Sequence, residues 1–231
     1  MNTQYLKIVD VFEKKVELWQ KNYPNLKENI TQINSGEEKR TKYEVVNSLV
    51  FNRDLRKIGK KGPKYILVAD NPGMDEQKNG RYLVGLSGKM ARNFFENNSL
   101  VENFEKEVAV LNKSCMHTHS TKDLKKLKKY KDLCEDSQVF MADMLVDMQK
   151  FFNCDVWIIG CSELRRKGIF ETYLERLRFR YSHDAQDLKK KVFFYPHFSY
   201  GNFNRNLNVV REKEATFNIK EVLRKAGKEI L

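Results

Sequence analysis

Tyr65-Ile66-Leu67-Val68-Ala69, followed at once by Asp70-Asn71-Pro72-Gly73, is the stretch on which the reading of this chain turns. A short unbroken apolar run that stops at an Asx-Pro-Gly turn is the pattern of a strand buried on both faces. Three more runs follow, at residues 108–111, 156–159 and 192–195, each separated from the last by a segment long enough to hold helices. The alternation predicts an α/β fold: a three-layer α/β/α sandwich around a central, mainly parallel four-stranded sheet. Such sheets bind ligands beyond the carboxyl ends of their strands, so the loops opening at Asp70, Asn112, Gly160 and Pro196 are where function is expected.

Outward from the sheet the chain reads helical. Leu6, Val9, Phe12, Val16 and Trp19 recur at helical spacing over residues 5–20, and Tyr23-Pro24 ends that run. A second helix is expected at residues 41–51 and a last one at 217–230. Residues 1–231 thus read as one domain, with 1–60 a helical N-terminal extension. At 231 residues, with 41% hydrophobic and 12% aromatic residues, there is ample material for a single core. Asp10, Glu13, Lys14, Lys15 and Glu17 interrupt the first helix too heavily for a signal peptide, and no span approaches the roughly 20 apolar residues of a membrane helix. A soluble cytoplasmic protein is expected. The four cysteines are too few and too scattered for a disulfide scaffold.

Lysine and arginine outnumber the acids by 43 to 31, a formal charge of +12, which favours a polyanionic partner. Charge alone does not name it. The six lysines within residues 122–131 read as a solvated helix face before a phosphate-tracking one. Neither a Walker loop nor GxGxxG follows the first strand, which disfavours a nucleotide-binding enzyme.

The loop after the first strand is the most informative. It runs Ala69-Asp70-Asn71-Pro72-Gly73-Met74-Asp75-Glu76, and continues Gly80-Arg81-Tyr82-Leu83-Val84-Gly85-Leu86-Ser87-Gly88-Lys89-Met90. This resembles the first motif of the uracil-DNA glycosylase superfamily, above all the GEAPGxxE…GxPFVGxAGxLL pattern of its fourth, thermophile-type family, with Gly73, Glu76, Gly80, Val84, Gly85 and Gly88 in register. Its start is nearer the GINPG and GMNPG forms of the mismatch and single-strand-selective families, in which the asparagine aligned with Asn71 positions the hydrolytic water. Val110-Leu111-Asn112 resembles the strand end whose asparagine reads the flipped pyrimidine, and an amide offers both the donor and the acceptor that a base edge needs. Tyr195-Pro196-His197-Phe198-Ser199-Tyr200 resembles the HPS motif, with Phe198 in place of its proline. The resemblance covers residues 64–206.

The resemblance implies a monofunctional DNA glycosylase that flips a base out of DNA, hydrolyses its N-glycosidic bond and leaves an abasic site. In these terms Asn71 orients water, His197 stabilises the departing base anion and Asp70 is an electrostatic helper, while Asn112, Leu83, Tyr82, Gly73, Glu76 and Ser199 form the base site. Ser87 reads as the cap of a helix at 88–95 whose amino end, with Gly88 and Lys89, faces the DNA. Arg205 and Lys113 are expected near phosphates. Tyr200 and Phe203 are either a wedge that replaces the extruded base or ordinary packing. DNA is the expected partner, with no membrane and no obligate protein partner.

Two departures from the family matter. The fourth family holds an iron-sulfur cluster with four cysteines, two of them ahead of the first motif. This chain has only Cys115 and Cys134 where later ligands fall, with Cys154 and Cys161 elsewhere, so no cluster, other metal or cofactor is expected. Cys115, His117 and His119 do not have a recognised zinc spacing. Leu83 stands where the family stacks a phenylalanine on uracil, with Tyr82 in place of a proline. With Phe198 read as a larger, freer residue in the closing motif, the expected base is a modified pyrimidine, such as occurs in viral DNA, or uracil. A non-catalytic DNA-binding relative of the same fold is the alternative.

Overall fold

In the computed structural model, which describes residues 3–38, 40–214 and 218–231 apart from the side chains of Tyr200 and Glu214, the four apolar runs are the four strands of one sheet. They are β1 (Tyr65–Ala69), β2 (Val108–Asn112), β3 (Asp155–Ile159) and β4 (Val192–Tyr195), in the order β2-β1-β3-β4. Every pairing is parallel. β2 is buried at every position and β1 and β3 at all but their first, which is why these strands read as continuous apolar runs and not as alternating ones.

Helices α1 (Thr3–Asn22) and α2 (Leu26–Ser35) precede the sheet. α3 (Met74–Asn79), α4 (Leu86–Asn97) and α5 (Phe104–Glu107) lead from β1 to β2. α6 (Lys131–Phe152) carries the chain back past β1 to β3, and α7 (Glu171–His183) leads on to β4. α8 (Asn202–Glu214) and α9 (Ile219–Ala226) follow the sheet. The direction of travel reverses after β2, and right-handed crossovers therefore put α6 and α7 on the face opposite α4. On the α6 side, Phe12 and Trp19 of α1 meet Phe140 of α6 with ring centroids 5.8 and 5.7 Å apart. On the other side, Trp157 of β3 meets Phe95 of α4 at 4.6 Å and Phe203 of α8 at 6.1 Å. The architecture is the three-layer α/β/α sandwich read from the sequence.

The N-terminal segment is not an appendage. Tyr5, Val9, Phe12, Val16 and Trp19 are buried in the common core, and the Tyr5 hydroxyl donates to Leu55 O at 2.7 Å. The helix expected at 41–51 does not form. Its amides are claimed by other parts of the molecule: Val46 and Asn47 N–H donate to Gln77 Oε1, Val50 N–H donates to Cys115 O, and Leu49 bridges Met116. With Val45, Val46 and Val50 β-branched, tertiary partners outweigh a weak helical period. The last helix is shorter than 217–230: Gly227 ends α9, and Lys228 then exchanges two backbone hydrogen bonds with Phe194 of β4. Phe217, the expected start of that helix, lies outside the described residues. The lysine run forms two short 3-10 turns, Thr121–Lys126 and Lys128–Tyr130, and not one helix face.

Candidate active site

β1 and β3 are neighbours whose crossovers depart in opposite directions, so the crevice between their carboxyl ends is the topological switch point of the sheet. A cleft of about 840 Å³ opens there, and all four strand-end loops contribute to it through Asp70, Asn112, Gly160 and His197. Its floor is organised by a lysine. Lys113 is fully buried, and its ammonium donates to Asp70 Oδ1 at 2.5 Å, Ile159 O at 2.6 Å and Gly160 O at 3.1 Å. Three acceptors satisfy its three donors. Gly160 has φ +81, and a Cβ there would sit 2.6 Å from the Asp70 carboxylate, so only glycine lets the β3 loop close over the pair.

His197 follows β4. The Ser199 backbone N–H donates to His197 Nδ1 at 3.1 Å, and Ser199 Oγ lies 2.9 Å from the same atom. Nδ1 is therefore an acceptor, and the neutral ring carries its proton on Nε2. Burial lowers the His197 pKa below the ordinary histidine value; the Asp70 carboxylate opposes that shift and Lys113 reinforces it. A neutral N–H donor at neutral pH is the result.

The two asparagines are held differently. Asn71 Nδ2 donates to Met116 O at 3.2 Å and to Thr118 Oγ1 at 2.9 Å, which orients the carboxamide and leaves Oδ1 as an acceptor toward the cleft. Asn112 is 2% exposed and lines the cleft, and its carboxamide has no hydrogen-bond partner among the described residues. Its amide atoms stay open to the cleft, where they offer a donor and an acceptor to a ligand edge.

Glu76 ties the glycine-rich loop together. Its Oε2 accepts from Gly73 N–H at 3.1 Å and its Oε1 from Val84 N–H at 3.2 Å, so one carboxylate joins both ends of the motif. Leu83 lines the cleft with φ +54, a left-handed conformation rare for leucine. Arg92 holds the Leu83 carbonyl at 2.6 Å, and Gly88 lies so close that a Cβ would be 1.5 Å from that oxygen. Gly88 is thus buried support and does not face a ligand. Gly85, not Ser87, is the N-cap of α4; Ser87 lies in the first helical turn and lines the cleft. The difference arises because Gly85, pinned by Glu76, already has the extended backbone a cap requires.

Four expectations are corrected by burial. Lys113 is committed to the cleft floor and cannot reach a phosphate. Phe203 is 1% exposed, stacked on Phe198 with centroids 4.1 Å apart, and is core, not wedge. Phe198 is likewise buried and not free. Tyr82 is a core residue whose hydroxyl donates to Val50 O at 2.6 Å, and it does not line the cleft. Lys89 and Arg205 are exposed on α4 and α8, and the Tyr200 side chain lies outside the described residues.

The sequence reading missed several groups. His119 lines the cleft, its Nδ1 buried without a hydrogen-bond partner among the described residues, and Ser120, Thr121, Ser162 and Lys228 add further polar wall. Its neighbour His117 is bonded on both nitrogens, Nδ1 to Pro72 O and Nε2 to the Tyr43 hydroxyl, each at 2.9 Å. The four thiols do not converge. Cys115 contacts Ser137, Cys134 accepts from Gln138, and Cys154 and Cys161 flank opposite ends of β3, an arrangement that does not fit a four-cysteine cluster. Among the described residues no group of three His, Cys, Asp or Glu side chains is arranged to hold a metal ion. Among the same residues no helix is long and apolar enough to cross a membrane. The chain matches no protein-family model and no curated protein.

Proposed function

We propose that the protein is a monofunctional DNA glycosylase of the uracil-DNA glycosylase type, acting on a modified pyrimidine or uracil. The observation that carries this reading is the meeting of Asn71, Asn112 and His197 in one cleft, each with an open polar atom or an unpartnered amide directed to the same space. The flipped base enters between Leu83 and Asn112, whose amide pairs with its edge. The C1′–N1 bond breaks with its electron pair leaving on the base, and His197 Nε2–H donates to the base carbonyl as negative charge develops there. Asn71 Oδ1 accepts from a water whose oxygen attacks C1′, and the released proton leaves by way of solvent and the base. Because an amide is no base, the sugar must be well advanced toward an oxocarbenium ion before attack, and Asp70, paired with Lys113, contributes a local dipole and not a free charge. The amino end of α4, with Ser87, is suited to a flanking phosphate.

The aliphatic wall at Leu83, which offers no aromatic face to a flat base, favours a pyrimidine other than plain uracil. Mass spectrometry of bases released from uracil-containing, mismatched and hypermodified DNA tests the whole reading. Release of a free base with matching alkali-labile sites is expected. Tight DNA binding with no release from any of these substrates would favour the non-catalytic relative.

A further inference from the structure

We infer that the groove between α4 and α8 is a binding path for unpaired DNA that continues from the cleft, and that it grips bases and sugars more than phosphates. This rests on the glycosylase reading for the identity of the ligand, but on separate residues. Both helices begin at the cleft, which Leu86 and Ser87 of α4 and Asn202 of α8 line, and both then run away from it with a groove of about 430 Å³ between them. The floor of the groove is apolar: Met90, Phe94 and the buried Leu207. Its rim is amide. Asn93 and Asn97 face the groove from α4 and Asn204 and Asn208 from α8. All four are exposed, and none has a hydrogen-bond partner among the described residues.

Asparagine is a poor helix former, and while Asn97 ends α4 and Asn204 falls in the first turn of α8, Asn93 and Asn208 sit in helix interiors where they cap nothing. A local rule broken repeatedly on one groove, with no structural return, points to a ligand. Each carboxamide offers a donor and an acceptor, the pair that matches base edges, and an apolar floor suits the faces of bases and sugars. Base edges are accessible in this way only in an unpaired strand. At the far end Arg211 Nε is buried with no hydrogen-bond partner among the described residues, and Lys89 is exposed one turn before Asn93. One cation at each end of a neutral rim, on a chain of net charge +12, fits a strand held by few phosphate contacts.

The test is fluorescence anisotropy with single-stranded DNA of about 4 and about 16 nucleotides and a blunt duplex, over a series of salt concentrations. Variants are the double substitution Asn93→Ala with Asn208→Ala, and Arg211→Ala, each checked for unchanged melting. The double variant is expected to lose about tenfold in affinity for the long strand, with the short strand unaffected and the slope of log affinity against log salt unchanged. Arg211→Ala should shallow that slope by about 0.7. Unchanged affinity for the long strand in both variants overturns the inference, as does an equal loss on the duplex. Base release is followed in parallel. Release that persists while binding ignores the groove sinks the groove alone, whereas groove-dependent binding by a wild-type protein that releases no base sinks the glycosylase reading alone.

Discussion

The loops after β2 and β4 each carry a histidine, His117 fully buried and His197 partly buried at the cleft, and the two are held in opposite ways. His117 is bonded on both ring nitrogens, and burial pulls its pKa down to about 4. Among the described residues His197 is bonded only on Nδ1, and burial lowers its pKa as well. The same residue type with the same direction of shift is therefore structural in one loop and available for chemistry in the other. What separates them is a single open nitrogen. A perturbed pKa by itself marks burial; a functional group also needs an atom left unpaired toward a cavity.

The largest expected effect breaks the comparison from the His197 side. His197→Ala should reduce single-turnover base release by at least roughly a hundredfold while DNA affinity and melting change little, because its donor acts on charge that exists only in the transition state. Asn71→Ala should cost roughly as much, since its acceptor faces the cleft. Near wild-type release by either variant would remove that residue from the mechanism. His117→Ala should do the reverse. It strands Pro72 O and the Tyr43 hydroxyl and opens a void, a loss of about 2–4 kcal/mol in denaturant unfolding, with release per folded molecule retained.

The next effect is on pH. Base release should be flat above the lowered His197 pKa and fall by about tenfold per pH unit below it, as Nδ1 takes up a proton, the ring becomes a cation and the hydrogen bond from Ser199 N–H that orients it is lost. For stability the sign comes from His117, whose folded value of about 4 lies below its ordinary 6.5. The unfolded chain takes up the proton first as the pH falls. Stability is thus complete above 6.5, declines between 6.5 and 4 by roughly 3 kcal/mol, and levels off below. His117→Gln should make this part of the stability curve shallower, leaving the smaller share that the lowered His197 adds, and leave the limb in activity; a curve unchanged by that substitution would refute the assignment.

The contrast between the two loops was only partly legible in the sequence. The sheet could be read because strands buried on both faces are written as apolar runs, and Asn71, Asn112 and His197 could be picked because each stands at or just past a strand end. Lys113 read as a phosphate ligand because a lysine after a strand is usually on the surface. Its three acceptors come from the ends of β1 and β3, brought to it only by the parallel register. Phe203 stays open between wedge and packing in the sequence for a similar reason: the aromatic stack that buries it comes from Phe94, Phe198 and Trp157, on three different elements. His119 was visible only as a failed zinc pattern, and the cleft that gives it meaning is a property of the fold.

The smallest expected effect concerns which base the open nitrogen serves. With Phe198 buried against Phe203, the case for a reshaped pocket now rests on Leu83. Leu83 holds a left-handed backbone because Arg92 and Gly88 fix its carbonyl, and a replacement side chain would inherit that backbone and point to the same wall. Leu83→Phe should then add a stacking face for a flat base, worth about 1 kcal/mol or a little more, and fill space that a substituent needs. Release of uracil should rise about fivefold or more, and release of 5-hydroxymethylcytosine or its glucosylated forms should fall, so the ratio of the two is the sensitive readout. If the wild type releases uracil fastest by a wide margin and Leu83→Phe leaves the ratio unchanged, the wall at Leu83 does not choose the base, and the reading becomes that of an ordinary uracil remover.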